Sequence, residues 1–326
     1  EFDLWLGEKD VDHRMPDMGS FLKTRGYAVE REGAWVVPVA RNDDKKEMPP
    51  LILVKSDGAY LYATTDLATV IDRAAMHPAP DRVIILADNR QALHFEQVFR
   101  AAHMVGFVPN GMHFTHAGFG TMNGTDGKPF KTRAGGVLRL EDLIAMAHDK
   151  AQARMNESHV GEDLDPAEQE EIARMVAVAA VKFADLKNPR HVDYVFDLDA
   201  MTSFEGKTGP YLLYQAVRIR SILARARVEG MAPGDWMIEE TSRPLILLLL
   251  DYPNMVAMAA ENLTPHVLAD YLYRLAQEFS AFYNRCHILS EKDIARRGAW
   301  LALCAMTLTV LEQGLDLMGI DVPKRM

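Results

Sequence analysis

Between residues 119 and 136 the chain reads FGTMNGTDGKPFKTRAGG. Five glycines (Gly120, Gly124, Gly127, Gly135, Gly136) are interleaved with three cations, Lys128, Lys131 and Arg133. Glycine lets backbone amides approach phosphate oxygens, and nearby cations neutralise charge developing on them. The chemistry such a loop suits is phosphate binding. The spacing is not that of a Walker loop: Pro129 follows Gly127-Lys128, and Met122 stands where the first glycine would fall. No GxGxxG run occurs either. A solvated glycine-rich hairpin is the plain alternative.

A second set of residues surrounds Asp66. Tyr62 precedes it by four positions, Gln91 follows the next apolar run, and His94 comes three residues after Gln91. A carboxylate at the ligand end of a sheet suits a planar guanidinium, which it binds through two parallel hydrogen bonds. Each residue also has a structural reading. Asp66 could cap the following helix, Tyr62 could be a half-buried strand aromatic, Gln91 a first-turn helix residue, and His94 a structural histidine. His113 and His116 form HxxH, but an offset of three in a strand puts them on opposite faces, so no metal site is expected.

The elements that must position these residues follow from patterning. Residues 51–54 and 59–63 are β-prone runs separated by Ser56-Asp57-Gly58, a turn signal. Residues 66–76 and 91–104 have helical spacing, the latter turning Leu93, Val98, Ala101 and Ala102 toward a core. Residues 82–87 (RVIILA) form a nearly continuous apolar run, as in a strand buried on both faces, and 112–119 is again strand-like. This alternation predicts a parallel, doubly wound sheet, with ligands at the carboxyl ends of its strands. Beyond residue 140 the pattern turns helical: 141–155, 166–186, 210–227, 243–262, 265–286 and 297–318. Pro253 should kink or break the fourth of these, and 191–197 is a short extended exception. The fold class expected is α/β followed by all-α.

Composition bounds the partners. The 326 residues carry 36 Lys+Arg and 46 Asp+Glu, a formal net charge of −10, which excludes a sequence-blind nucleic-acid coat. Residues 201–326 hold 13 basic and 14 acidic side chains, ten of the cations being arginine, so this part is nearly neutral and could dock one structured RNA. On an ideal helix over 210–227, Tyr211, Tyr214, Arg218 and Arg225 fall within an arc of about 60°. Aromatics interleaved with arginines suit stacking on splayed bases. Arg220 and Arg227 point the other way, and an ordinary bundle surface is the equal alternative. Cys286 and Cys304 lack zinc spacing and read as reduced core thiols. The longest purely apolar run, 245–250, has six residues, against about 20 for a membrane span. A soluble cytoplasmic protein is expected, with no membrane association. The chain opens on Glu1 within an apolar-patterned stretch, so it is expected to begin inside a longer protein.

The stretch FGTMNGTDGKPFKTRAGG resembles the signature loop of class I aminoacyl-tRNA synthetases, in the variant carried by arginyl-tRNA synthetases. SDGAYLYATTDLA (56–68) and ADNRQALHFEQVF (87–99) resemble that family's second catalytic half. FEGKTGPYLLYQAVRIRS (204–221) resembles the opening of its anticodon-binding bundle, and GLDLMGIDVPKRM (314–326) its chain end. These segments recur in family order over nearly the whole chain.

The resemblance implies the second half of a class I Rossmann-like catalytic domain with the ATP-phosphate loop (1–150), a helical connecting region (151–205) and an α-helical anticodon-binding domain (206–326). It implies arginine–tRNA ligation. The arginine carboxylate attacks the α-phosphate of ATP, pyrophosphate leaves, and the terminal adenosine of tRNA(Arg) takes the arginyl group, with Mg²⁺ accompanying ATP. On the matching positions, Lys131 and Arg133 act on the phosphates. His94, Gly120, Met122, Lys128 and Lys131 border ATP, and Tyr62, Asp66 and Gln91 take L-arginine. Tyr211, Tyr214, Arg218, Tyr283 and Met326 face tRNA; for Tyr283 a core aromatic is the alternative. The full-length enzyme is expected to be a monomer with no resident metal. No HxGH motif and no counterpart of the family's N-terminal domain occur in this sequence. The fragment alone is therefore expected to be inactive. The alternative is a truncated, non-catalytic paralogue acting as an RNA-binding or interaction module.

Overall fold

The computed structural model describes residues 2–124, 126–128 and 139–326. The chain packs as two compact units, Glu1–Gly120 and Thr121–Met326.

In the first unit a 3-10 turn leads into α1 (Met15–Thr24) and an antiparallel sheet of β1 (Val29–Arg31), β2 (Ala34–Val37) and β3 (Leu51–Val54). Then come α2 (Tyr62–Ala74), β4 (Arg82–Asp88), α3 (Ala92–Met104) and β5 (His113–Phe119). β4 and β5 pair in parallel, from Arg82 opposite His113 to Asp88 opposite Phe119. The core joins Leu51, Leu53, Leu67, Val98, Phe99 and Met112.

Four expectations are corrected here. The single parallel sheet is not formed among the described residues: β3 belongs to the antiparallel sheet, and in this unit β4 and β5 pair in parallel as a separate two-stranded sheet. The β-prone run 59–63 is not a strand. Tyr60 makes an isolated bridge to Val54, the Leu61 amide donates to the Leu53 carbonyl at 3.2 Å, and the chain turns at once into α2. Thr64, already helical, donates its hydroxyl to the same Leu53 carbonyl at 2.5 Å, so tertiary contact overrides local β-propensity. Finally, β4 is not buried on both faces. Val83 and Ile85 pack on the core, while Ile84 and Leu86 are 46% and 67% exposed. Leu93, expected to face the core, is likewise exposed, as is the opening stretch around Phe2 and Trp5.

The second unit begins with β6 (Met122–Asn123), which pairs in parallel with β7 (Tyr194–Val195), the extended exception seen in the sequence. Between them lie α4 (Leu140–Glu157) and α5 (Pro166–Leu186), packed on one another. α4 and α5 both lie in this second unit. There follow α6 (Leu198–Met201), α7 (Gly209–Val228), α8 (Arg243–Asn262), α9 (Pro265–Arg285) and α10 (Ile294–Leu317).

Three of the long helices, α5, α7 and α10, start on a side-chain cap. Asp165 accepts from the Glu168 amide at 2.9 Å, Thr208 from the Tyr211 amide at 3.2 Å, and Asp293 from the Ala295 amide at 3.0 Å. The core is continuous through Phe183, Leu212, Leu213, Leu272, Phe279, Phe282 and Leu311. Only glycine fits at 209, because a Cβ there would overlap the Ala179 carbonyl of α5. α8 runs through Pro253 without ending, so of the kink or break expected there the break does not occur. The Tyr271 hydroxyl donates to the Leu248 carbonyl at 2.8 Å, one residue before the carbonyl that Pro253 leaves without a donor. By length and composition α8 and α10 are apolar enough to cross a bilayer, but most of α10 is buried within this bundle.

Candidate functional site

Asp66 and Tyr62 lie four residues apart on the first turns of α2 and so share a face. Leu61, not Asp66, is the N-cap, which removes the capping explanation for this carboxylate. Facing them from α3 is His94. Its Nε2 is 2.6 Å from Asp66 Oδ2, and its ring lies 4.6 Å from that of Tyr62. The imidazole is nearly enclosed, with its side chain 11% exposed, whereas the Asp66 side chain is 33% exposed. A carboxylate is therefore open to solvent on one side and fixed by an imidazole on the other. The Tyr62 ring, itself exposed, stands beside them.

Behind His94 the rings continue inward. Phe95 meets it edge-on at 5.1 Å and stacks on His116 at 5.1 Å. His116 is held 3.3 Å from the Ala87 carbonyl, which gives it a structural role.

Gln91 closes the short 3-10 turn after β4 and precedes α3. It is exposed, and no hydrogen bond joins it to Tyr62 or Asp66 among the described residues. At the same strand end, Asp88 accepts two side-chain hydrogen bonds from Arg90, at 2.9 and 2.7 Å. Those bonds hold its carboxyl at about 2, well below the usual range. This pair went unnoticed in the sequence, although a DNR triplet at a strand end carries the signal.

The glycine-rich segment is described only in part. Gly120 follows β5, and Met122 opens β6, whose start is pinned by the Thr121 amide donating to Asp193 at 2.6 Å. The Gly124 amide donates to the Lys128 carbonyl at 2.7 Å, and Gly127 takes a left-handed conformation, φ 74°. This is a tight turn that leaves Lys128 exposed. Lys131 and Arg133 lie outside the described residues.

The other candidate surface is on the bundle. α7 is buried nearly all round through its first turns, and Tyr214 emerges from it 42% exposed. One turn further, the Arg218 guanidinium sits 4.4 Å over the ring of Tyr283, and that ring stacks on core Phe279 at 6.3 Å. Tyr283 is thus both a core-packed aromatic and half of a cation–π pair, so the two sequence readings are not exclusive. Tyr211 is half-buried, edge-on to Tyr273 at 5.6 Å, and burial pushes its phenol up.

Met326 packs against the bundle core. Arg325 forks onto Glu168 of α5 at 2.7 and 2.5 Å and holds that carboxyl below its ordinary range. Arg220, turned away from the tyrosines as its spacing requires, grips the Pro323 carbonyl and Glu312. It anchors the chain end to α7, a structural role that sequence reading did not assign.

A catalytic α/β unit followed by an arginine- and tyrosine-bearing helical bundle is the arrangement of a class I aminoacyl-tRNA synthetase. The family described as "tRNA synthetases class I (R), catalytic domain" matches residues 1–198, and "DALR anticodon binding domain" matches 212–326. The chain belongs to the arginyl-tRNA synthetase family. It is 49% identical over 327 residues to the arginine–tRNA ligase of Hyphomonas neptunium, and 49% over 326 residues to that of Maricaulis maris. All of this chain and 55% of each relative are covered. Among solved structures it is similar to the Thermus thermophilus arginyl-tRNA synthetase, with TM-score 0.81 and 26% identity over 96% of this chain and 58% of that one. The chain thus spans about half the length of the curated relatives it matches.

Proposed function

We propose that this chain is the part of an arginine–tRNA ligase that carries the arginine pocket and the anticodon-binding bundle. The whole protein forms arginyl-tRNA from L-arginine, ATP with its Mg²⁺, and tRNA(Arg). The observation that carries the reading is 49% identity, covering all of this chain, to proteins named arginine–tRNA ligase.

The site geometry supports it chemically. A guanidinium is planar and permanently charged, and Asp66 offers a carboxylate with one side open beside the aromatic Tyr62. Gln91, at the next strand end, completes the arginine-facing set. Gly120, Met122 and Lys128 border ATP, while Lys131 and Arg133 act on its phosphates. Little covalent chemistry is asked of side chains, since positioning and charge stabilisation supply most of the rate. Tyr211, Tyr214, Arg218, Tyr283 and Met326 form the tRNA face. We further propose that the complete enzyme works as a monomer in the cytoplasm.

The test is ATP–pyrophosphate exchange by the complete gene product, with tRNA present and each amino acid supplied in turn. Exchange with arginine alone is expected. In the same assay Asp66→Asn should raise KM for arginine about 100-fold, the order expected for losing a charge-assisted pair, with KM for ATP nearly unchanged. Absence of exchange with any amino acid would favour a non-catalytic RNA-binding module instead.

A further inference from the structure

We infer that His94 is a positioning residue of the arginine pocket: its imidazole holds one oxygen of Asp66, so that the carboxylate meets the incoming guanidinium in a fixed plane. This rests on the reading of Asp66 as the arginine carboxylate and goes beyond it by assigning the group that orients it. It also moves His94 away from the nucleotide-bordering role its sequence position suggested.

The geometry carries the argument. Asp66 Oδ2 lies 2.6 Å from His94 Nε2, and among the described residues no other group bonds this carboxylate. An aspartate rotates freely about its terminal torsion unless something holds it. Here the holder is itself fixed, because His94 is wedged between the Tyr62 ring at 4.6 Å and the Phe95 ring at 5.1 Å. Phe95 is buried and stacks on His116. Among the described residues, no charged group other than Asp66 makes a hydrogen bond or ion pair with this imidazole. α2 offers Tyr62 and Asp66, β5 offers His116 behind Phe95, and Arg90 is turned onto Asp88.

A two-pronged guanidinium pair demands a carboxylate in one plane, and orientation lost before binding appears as weaker binding. Asp66 Oδ1 remains for the substrate, and Oδ2 keeps a lone pair beside the imidazole bond. His94 acts through Asp66 and makes no covalent step.

The experiment uses the complete ligase, measuring KM for arginine, KM for ATP and kcat in tRNA-supported exchange. His94→Phe keeps the ring between Tyr62 and Phe95 but removes the bond. It should raise KM for arginine about tenfold, as loss of one hydrogen bond to a charged group would, with KM for ATP and kcat within twofold. His94→Gln, whose amide nitrogen can stand near the position of Nε2, should recover most of that loss. In an Asp66→Asn background, His94→Phe should add little, since there is no carboxylate left to orient.

Equal effects on both KM values, an effect on ATP alone, failure of His94→Gln to rescue, or full additivity with Asp66→Asn would each overturn the assignment. If Asp66→Asn itself leaves KM for arginine unchanged, the pocket reading fails. If Asp66→Asn raises it and His94→Phe does not, only the role of His94 fails.

Discussion

The two units bury their apolar surface in different ways. In the helical unit, Phe183, Phe279, Phe282 and Leu311 are completely enclosed, and helices contribute to one continuous core. In the α/β unit the core under α2 and α3 is equally dry at Leu67 and Val98, yet the outer face of β4 presents Ile84 and Leu86 to solvent. A two-stranded parallel sheet with one apolar face open is an unfinished layer, because parallel sheets are normally covered on both faces. The contrast teaches where each unit keeps its chemistry. The helical unit has a closed interior, and its proposed tRNA face is a surface one, at Tyr214 and the Arg218–Tyr283 pair. In the α/β unit the proposed arginine site lies at an edge, where the Asp66 carboxylate is partly open and the enclosed His94 stands behind it.

The strongest test of a closed core is Phe279→Ala. It should cost the helical unit about 3–5 kcal/mol, as for other large-to-small aromatic core changes, read from urea unfolding and from faster hydrogen exchange in α7 and α9. A loss below about 1 kcal/mol, the ordinary surface range, would break the contrast. Next is Gly209→Ala, where a methyl group would be driven into the Ala179 carbonyl. A loss of about 1–3 kcal/mol is expected from overpacking, with α5 and α7 losing exchange protection together.

On the open side, Leu86→Lys should change the unfolding midpoint very little, within about 0.5 kcal/mol, while lowering binding of a hydrophobic dye and self-association of the isolated chain. An equally large stability loss there as at Phe279 would show that this face is packed after all. The smallest effect is chemical. Burial pushes the Cys304 thiol up to about 12 and raises Cys286 as well. The thiolate is the reactive form, so both cysteines should resist alkylation in mildly alkaline buffer until the helical unit is unfolded. Native labelling of Cys304 at the rate of a free thiol would argue against the closed interior.

The helical unit was the more readable half. α5 and α8 occupy the spans that periodicity assigned, and the ends of α4, α7, α9 and α10 differ from expectation by a few residues at most. Caps such as Asp165 and Thr208 and a long apolar period state a helix locally, so little else has to be known. The α/β unit was less readable because its signals are not local. AYLYA (59–63) looks like a strand, but Leu53 captures both the Leu61 amide and the Thr64 hydroxyl and forces an early helix. RVIILA looks doubly buried, yet burial depends on what covers each face, which alternation alone does not encode.

For the site, sequence alone selected Asp66 and Tyr62 as a carboxylate with an aromatic companion, and Arg218 as a cation on an aromatic-bearing helix face. These choices follow from residue chemistry and spacing within one element. Tertiary structure decided the pairings between elements: His94 on Asp66 across 28 positions, Arg218 over Tyr283, and Arg220 and Arg325 fastening the chain end. A side chain's type fixes what it can bond. Which partner stands within 3 Å is fixed only when separate helices pack, and that contact is the outcome of the whole core rather than of any stretch of sequence.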